Sequence, residues 1–230
     1  MGVSRMRLKS TVRISVLVAT LFVLPAFADS SSLKFDSDVS NQLRTQVLDD
    51  FAFMQDLHGA KESPLHQEIF GRLDGAGYGQ WFNRRVFYFG VDSCGGASAV
   101  ACVKSQYKNK IFVTNNYVRI SHPQVARLMT LYHEARHTEV ENNSWPHAKC
   151  PRNFPYRSIW TNRKINGNSA CDSTAYGSYA SASVLLNNIA KFCENCSDKV
   201  KADAKIYADD QVKRVINTSA IAAMKTDFEF

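Results

Sequence analysis

No apolar run in this 230-residue chain is long enough to cross a bilayer, which takes about 20 residues. The longest, residues 14–24, has eleven and lies near the N-terminus. Clustered basic stretches are also missing: Lys and Arg are scattered among acidic residues. That argues against a nucleic-acid partner, whose binding face carries a basic stripe. No internal repeat and no low-complexity tract is present, so a repeat architecture is set aside. No Cys sits at the point just after the N-terminal apolar run where a signal would be cleaved, so a lipid anchor there is not expected. A second Cys-x-x-Cys pair is lacking too, which weakens a redox or metal role for Cys193 and Cys196.

What is present at the N-terminus is a targeting pattern. Arg5, Arg7, Lys9 and Arg13 precede the apolar run, and Pro25-Ala26-Phe27-Ala28 places small residues at the −3 and −1 positions. This is the layout of a secretory signal peptide over residues 1–28, with cleavage before Asp29. The expectation is a secreted or periplasmic protein with no membrane span in the mature chain. Residues 29–230 are then expected to form a single domain with a sizeable core. Of the formal charge of +7, four positives lie in the leader, which leaves +3 on the remainder. The basic pI is thus mostly a targeting signal.

Six cysteines, at 94, 102, 150, 171, 193 and 196, allow 15 pairings. An even count in an exported chain favours disulfides. The set that closes only local loops is Cys94–Cys102, Cys150–Cys171 and Cys193–Cys196.

Along the chain, residues 29–37 read as a loose leader. Leu43, Val47, Phe51, Met54 and Leu57 recur at helical spacing and predict a helix over 39–57. Ser63-Pro64 starts a short helical turn to Phe70. The four glycines within 71–79 read as a loop. Residues 85–91 and 110–114 read as strands. Ser121 and Gln124 form a capping-box pattern, predicting a helix over 122–140 with Val125, Leu128, Met129 and Tyr132 facing the core. Residues 142–167 look irregular. Further helices are expected over 173–192, with Tyr176, Tyr179, Leu185, Leu186 and Ile189 as core candidates, and from a Ser197 cap onward, burying Val200, Tyr207, Val212, Val215 and Ile216. The fold class is α+β: a small strand region followed by a mainly helical domain.

The chemistry gathers at His133-Glu134-Ala135-Arg136-His137. On a helix, His133 and His137 emerge from one face within reach of one ion, and neutral imidazole suits Zn²⁺. Glu134 can then take a proton from water whose acidity the zinc raises, as that water attacks a carbonyl. The plain alternative is two surface histidines on an ordinary helix. A catalytic zinc needs a third protein ligand and an open position. Glu139 points off the metal face of a continuing helix, and Glu141 sits about 12 Å of helix rise from His133. Two later residues qualify, His147 and Asp172. Asn142-Asn143-Ser144 supplies a left-handed stop and Pro146 an extended return toward His147. A Cys150–Cys171 bridge would hold both candidates close together. Asp172 also reads as a plain helix-start carboxylate.

Among the remaining residues, His122 reads as a helix start, and His58 and His66 as solvated. Arg136 reads as a structural ion pair or a substrate contact. Tyr176 and Tyr179 are core residues or oxyanion donors.

The His-Glu-Ala-Arg-His helix with a remote third ligand resembles the zincin superfamily of metallopeptidases, over residues 111–196. That resemblance implies a zincin-like catalytic domain, with residues 111–114 as the cleft-edge strand. The metzincin tail is missing and no gluzincin Glu is evident. Asp172-Ser173-Thr174-Ala175-Tyr176-Gly177 is similar to the aspzincin Asp-x-x-Tyr-Gly element with one residue more. The set around His147, Cys150-Pro151 and Ala170-Cys171-Asp172 also resembles a group of exported bacterial proteins. The implied function is a zinc peptidase acting on a peptide or protein. The alternatives are a zinc amidase acting on cell-wall peptide and a non-enzymatic protein with a structural metal.

Overall fold

A computed structural model describes residues 33–96, 99–119, 122–159 and 162–229. The expected signal peptide and the expected cap Ser121 lie outside the described residues. Strand β1 (Lys34–Phe35) is followed by α1 (Asn41–Asp56), α2 (Pro64–Phe70) and α3 (Gly75–Asn83). Next come β2 (Tyr88–Val91), β3 (Ala101–Cys102), β4 (Lys110–Val113) and the single turn α4 (Asn116–Arg119). Helix α5 (Gln124–His137) carries the motif. Beyond it lie β5 (Ala148–Lys149), β6 (Ser169–Cys171), α6 (Ser178–Phe192), α7 (Asp198–Val212) and α8 (Thr218–Glu229). The class is α+β with helix dominant, as expected. No helix among the described residues is long and apolar enough to cross a membrane.

The larger sheet runs in the order β1-β2-β4-β3, with β1, β2 and β4 parallel and β3 antiparallel to β4 at the edge. Strands β5 and β6 form a separate antiparallel pair. All three local disulfides are formed, at Cys94–Cys102, Cys150–Cys171 and Cys193–Cys196. The 21-residue separation at Cys150–Cys171 is the longest loop closed, worth about 3 kcal/mol in chain entropy of the unfolded state.

The core packs α1, α3 and α5 against the sheet, with α6 and α7 on the other side of α5. All five apolar positions of the first expected helix are buried, and Ser40 caps it by accepting from the Leu43 N–H. Tyr132 fixes the position of α5. Its ring stacks on Trp81 at 5.2 Å, and its hydroxyl donates to the Tyr78 carbonyl at 2.9 Å. The next residue, His133, therefore leaves the helix away from this aromatic cluster.

Several boundaries differ from the sequence reading. The glycine-rich 71–79 segment is largely helix α3, not loop, because Asp74 caps it through the Gly77 N–H and Tyr78, Trp81 and Phe82 bury its inner face. Gly75 is needed because a Cβ there would meet the Gln55 carbonyl at 2.0 Å. Residues 34–35 form an edge strand rather than loose leader, through hydrogen bonds from Lys34 to Phe87 and Asp36 to Phe89. Helix α5 starts at Gln124 with Pro123 at its N-cap, since Gln124 sends its amide to the Asp49 carbonyl instead of back to a cap. It stops at His137, short of the expected 140. The segment beginning at 173 becomes helical only at Ser178. The helix begun at Ser197 ends at Val212, and α8 follows; Asn217 caps it through Ser219 and Ala220.

His66 is fully buried rather than solvated, held between the Tyr78 hydroxyl at 2.6 Å and the Gly71 carbonyl at 3.0 Å. Burial pushes its pKa down to about 4. The unfolded chain protonates near 6.5, so stability present above that pH is lost as pH falls toward 4, by about 3 kcal/mol from this group. Urea unfolding should show the stability gap between the wild type and His66→Gln changing by that amount across the window. Parallel pH curves would disprove it.

Candidate metal centre

Three imidazoles converge at the end of α5. The Nε2 of His137 lies 3.3 Å from that of His133 and 3.1 Å from that of His147. The first two come from one helix face at i and i+4. The third arrives by a sharp reversal: α5 stops, Val140–Asn142 makes one 3-10 turn, and Asn143, Ser144 and Trp145 all take left-handed backbone. The reversal is fastened at Glu139, which sequence reasoning placed on a continuing helix. Glu139 is buried past the helix end instead, accepting from Arg136, Arg85, the Trp145 indole and the Asn142 amide. Arg136 is thus a structural ion pair; it also donates to the Tyr176 carbonyl and stacks on Trp145.

Each imidazole also bonds a neighbour outside the cluster, His137 and His147 through Nδ1. His137 Nδ1 meets the Ser144 carbonyl at 2.8 Å, and His133 bonds the backbone of Ser178. His147 Nδ1 meets Asp172 Oδ1 at 3.1 Å. With protons on the outer nitrogens of His137 and His147, their Nε2 lone pairs face each other at 3.1 Å with no hydrogen between them. Such a cluster is repulsive until a cation fills it. Tetrahedral bonds of about 2.0–2.1 Å give nitrogen–nitrogen edges of about 3.3 Å, close to the separations here. The three residues could hold a metal ion. Burial, with help from the neighbouring imidazoles, keeps His133 well below its ordinary pKa and lowers His137 to about 4, so both imidazoles are neutral at neutral pH, the form that can bind a metal.

Asp172 does not belong to the converging group. Its Oδ1 faces the outer nitrogen of His147, and its Oδ2 accepts from the Tyr179 and Ala180 N–H groups, capping α6 from five residues upstream of the helix-start Gly177. Gly177 is required, because a Cβ would lie 2.4 Å from the Asp172 carboxylate. The pairing of β5 with β6 and the Cys150–Cys171 bridge set His147 and Asp172 side by side.

Glu134 is buried beside the cluster at the junction of two cavities. One, of about 610 Å³, is lined by His133, His137, His147, Tyr179 and the 101–103 backbone region. The other, of about 260 Å³, is lined by Thr130, Ser158, Tyr179, Gln211 and Arg214. His133, Glu134, Ala99, Ala101 and Tyr179 line both. Desolvation pushes the Glu134 carboxyl up to about 8, opposed by a hydrogen bond from the Val103 backbone. The cleft-edge strand is therefore β3 with its flanks, not residues 111–114; β4 is an inner strand, paired on both sides.

Tyr179 stacks on His147 at 4.5 Å, and the Arg214 guanidinium lies over the Tyr179 ring at 4.3 Å. Tyr176 is half-buried at the core margin, packing against two apolar clusters while its hydroxyl donates to Glu68. His122 contacts Tyr207, far along α5 from the cluster. Arg214 was missed by sequence reasoning, since an Arg beside Lys213 reads as ordinary surface charge and carries no signal of its own.

No protein-family model, curated protein or solved structure matches the chain. What can be said of the site therefore rests on its own geometry.

The two remote candidates make separable predictions. His147→Ala should weaken Zn²⁺ binding by more than about 100-fold, and Asp172→Asn by about 10- to 100-fold, the usual cost of losing an orienting partner. Competition titration with a chromophoric chelator measures both; a larger loss in Asp172→Asn would make Asp172 a ligand.

Proposed function

We propose that this chain is an exported zinc-dependent hydrolase, a peptidase, whose zinc is held by His133, His137 and His147. The observation that carries the reading is the set of three converged Nε2 atoms with Glu134 beside them and cavity on both sides. A structural zinc has four protein ligands in a closed shell. Here Asp172 spends both oxygens elsewhere, and among the described residues no fourth ligand joins the group. Three ligands and an open side favour catalysis. The all-nitrogen donor set suits zinc over magnesium or calcium, which take oxygen.

Zinc in this site supplies Lewis acidity, lowering the pKa of water and polarising a carbonyl oxygen. The remaining work falls to the chain. Glu134 takes the proton from the attacking water and can return it to the leaving nitrogen. A carboxyl that burial alone would keep near 8 is returned toward the ionised form by a neighbouring cation, which leaves it poised as a base. Tyr179, which burial keeps protonated to high pH, lines both cavities as a hydroxyl donor for the developing oxyanion. The backbone of 99–103, on an edge strand, lies along the same cleft and can pair with an extended peptide. Three disulfides and the expected signal peptide support export.

The test is Glu134→Gln in protein loaded with one zinc per chain. Metal content should be unchanged, while peptide-library cleavage falls by about 10²- to 10⁴-fold. Cleavage that survives the substitution, or a protein that takes up no zinc, would end this reading.

A further inference from the structure

The small cavity beside Glu134 has a cation at its wall. Arg214 follows α7, and its backbone carbonyl accepts from the Asp172 N–H, so it is tied to the residue that orients His147. Its side chain is buried, donates from Nη2 to Ser158 Oγ at 3.0 Å, and lies against the rings of Tyr179 and Tyr156 at 4.3 and 5.6 Å. Its charge is close enough to lower the pKa of His133. Yet among the described residues no carboxylate lies within the 4.0 Å of an ion pair with it.

The nearby Asp210 is committed to other donors. Its Oδ1 accepts from the Tyr156 hydroxyl and the Ile159 N–H, and its Oδ2 from the Gln211 amide. Arg136 makes the contrast clear. Both guanidinium groups leave Nε without a hydrogen bond, but Arg136 has Glu139 against it, whereas Arg214 has the neutral Ser158, Tyr156 and Tyr179 hydroxyls and only the more distant charge of Asp210, beyond ion-pair range. Ring contacts offset only part of the cost of burying a charge. A guanidinium fork held by neighbours at the wall of a cavity, lacking its carboxylate, is a carboxylate receptor.

We propose that Arg214 binds a carboxylate of the substrate, so that the peptide cleaved carries a free carboxylate on the residue seated in the 260 Å³ cavity. This rests on the hydrolase reading for its meaning, although the binding itself does not. The cavity is below the about 300–1,000 Å³ that encloses whole small ligands, so it takes roughly one residue while the rest of the chain follows the larger cavity. The carboxylate is either the C-terminus or an Asp or Glu side chain, and the two differ in what must be presented to the protein.

Three N-acetylated tripeptides separate them: one ending in a free acid, the same peptide amidated, and an amide ending in Glu. Calorimetry on zinc-loaded Glu134→Gln, which should not cut them, and on metal-free protein reads binding without turnover. One of the two acidic peptides should bind about 10- to 100-fold more tightly than the plain amide, with or without zinc. Arg214→Gln should abolish that preference, and Arg214→Lys should keep part of it. Equal binding of all three peptides, or a preference that persists in Arg214→Gln, overturns the proposal. Should Arg214→Gln fail to fold, the comparison among peptides on the protein with Arg214 intact still decides. If the preference holds and zinc-loaded protein cuts none of the peptides, the hydrolase reading falls and the carboxylate site stands. If all three are cut equally well, the reverse is true.

Discussion

Asp172 is the point on which the site depends. Its main chain joins β6 to the segment after α7, donating to Arg214 and accepting from Ile216. One carboxylate oxygen orients His147 and the other caps α6. Its neighbour Cys171 is bridged to Cys150, just after β5. The carboxylate thus fixes the third imidazole and the first turn of the helix packed against α5, while the main chain of the same residue ties in the segment that carries Arg214. An acid with two short oxygens can satisfy both the imidazole and the helix N-terminus, which is favourable for negative charge. Removing the carboxylate would leave a helix end and a histidine tautomer unsupported at once.

The other constraint is the rigidity of α5. Tyr132 is clamped among Phe70, Tyr78, Trp81 and Phe82, and the adjacent His133 and Glu134 face the opposite side. The aromatic cluster is supplied largely by α2 and α3, which have no direct part in the site. Their role is to hold the helix so that the imidazoles cannot swing apart. Catalytic and binding groups gain precision when the elements that carry them are locked by packing. The α3 helix, with its close backbone approach at Gly75, is part of that lock.

Much of this was legible in the sequence. The helical spacing of Leu43 to Leu57 and of Val125 to Tyr132 reports burial directly, because a 3.6-residue period has one physical cause. The local disulfides follow from loop closure, and the His133–His137 spacing from helix geometry. What was not legible depends on contacts between distant segments. The helical state of 75–83 comes from aromatic burial that overrides glycine propensity, and nothing in Gly-Ala-Gly-Tyr-Gly announces it. The choice between His147 and Asp172 could not be read, because both lie near the same disulfide. Only the direction of each side chain separates an inner nitrogen from an outer oxygen. Glu139 was misplaced because α5 ends two residues before it, and a helix end set by ion pairs to Arg85 and Arg136 has no local signature.

The distribution of buried charge follows one rule and breaks it once. Asp50 pairs with Arg127 and accepts from Tyr117. Glu139 faces Arg85 and Arg136. Asp227 caps α2 through Ser63 and Leu65. In each case desolvation is offset by a charge or by several donors, as buried ions require. Groups with less compensation gather at the cleft: three converging imidazoles, a Glu134 raised by burial, and the Arg214 cation with no carboxylate in ion-pair range among the described residues. On the proposed reading that cavity is completed from outside, by a cation for the imidazoles and Glu134 and by an anion for Arg214.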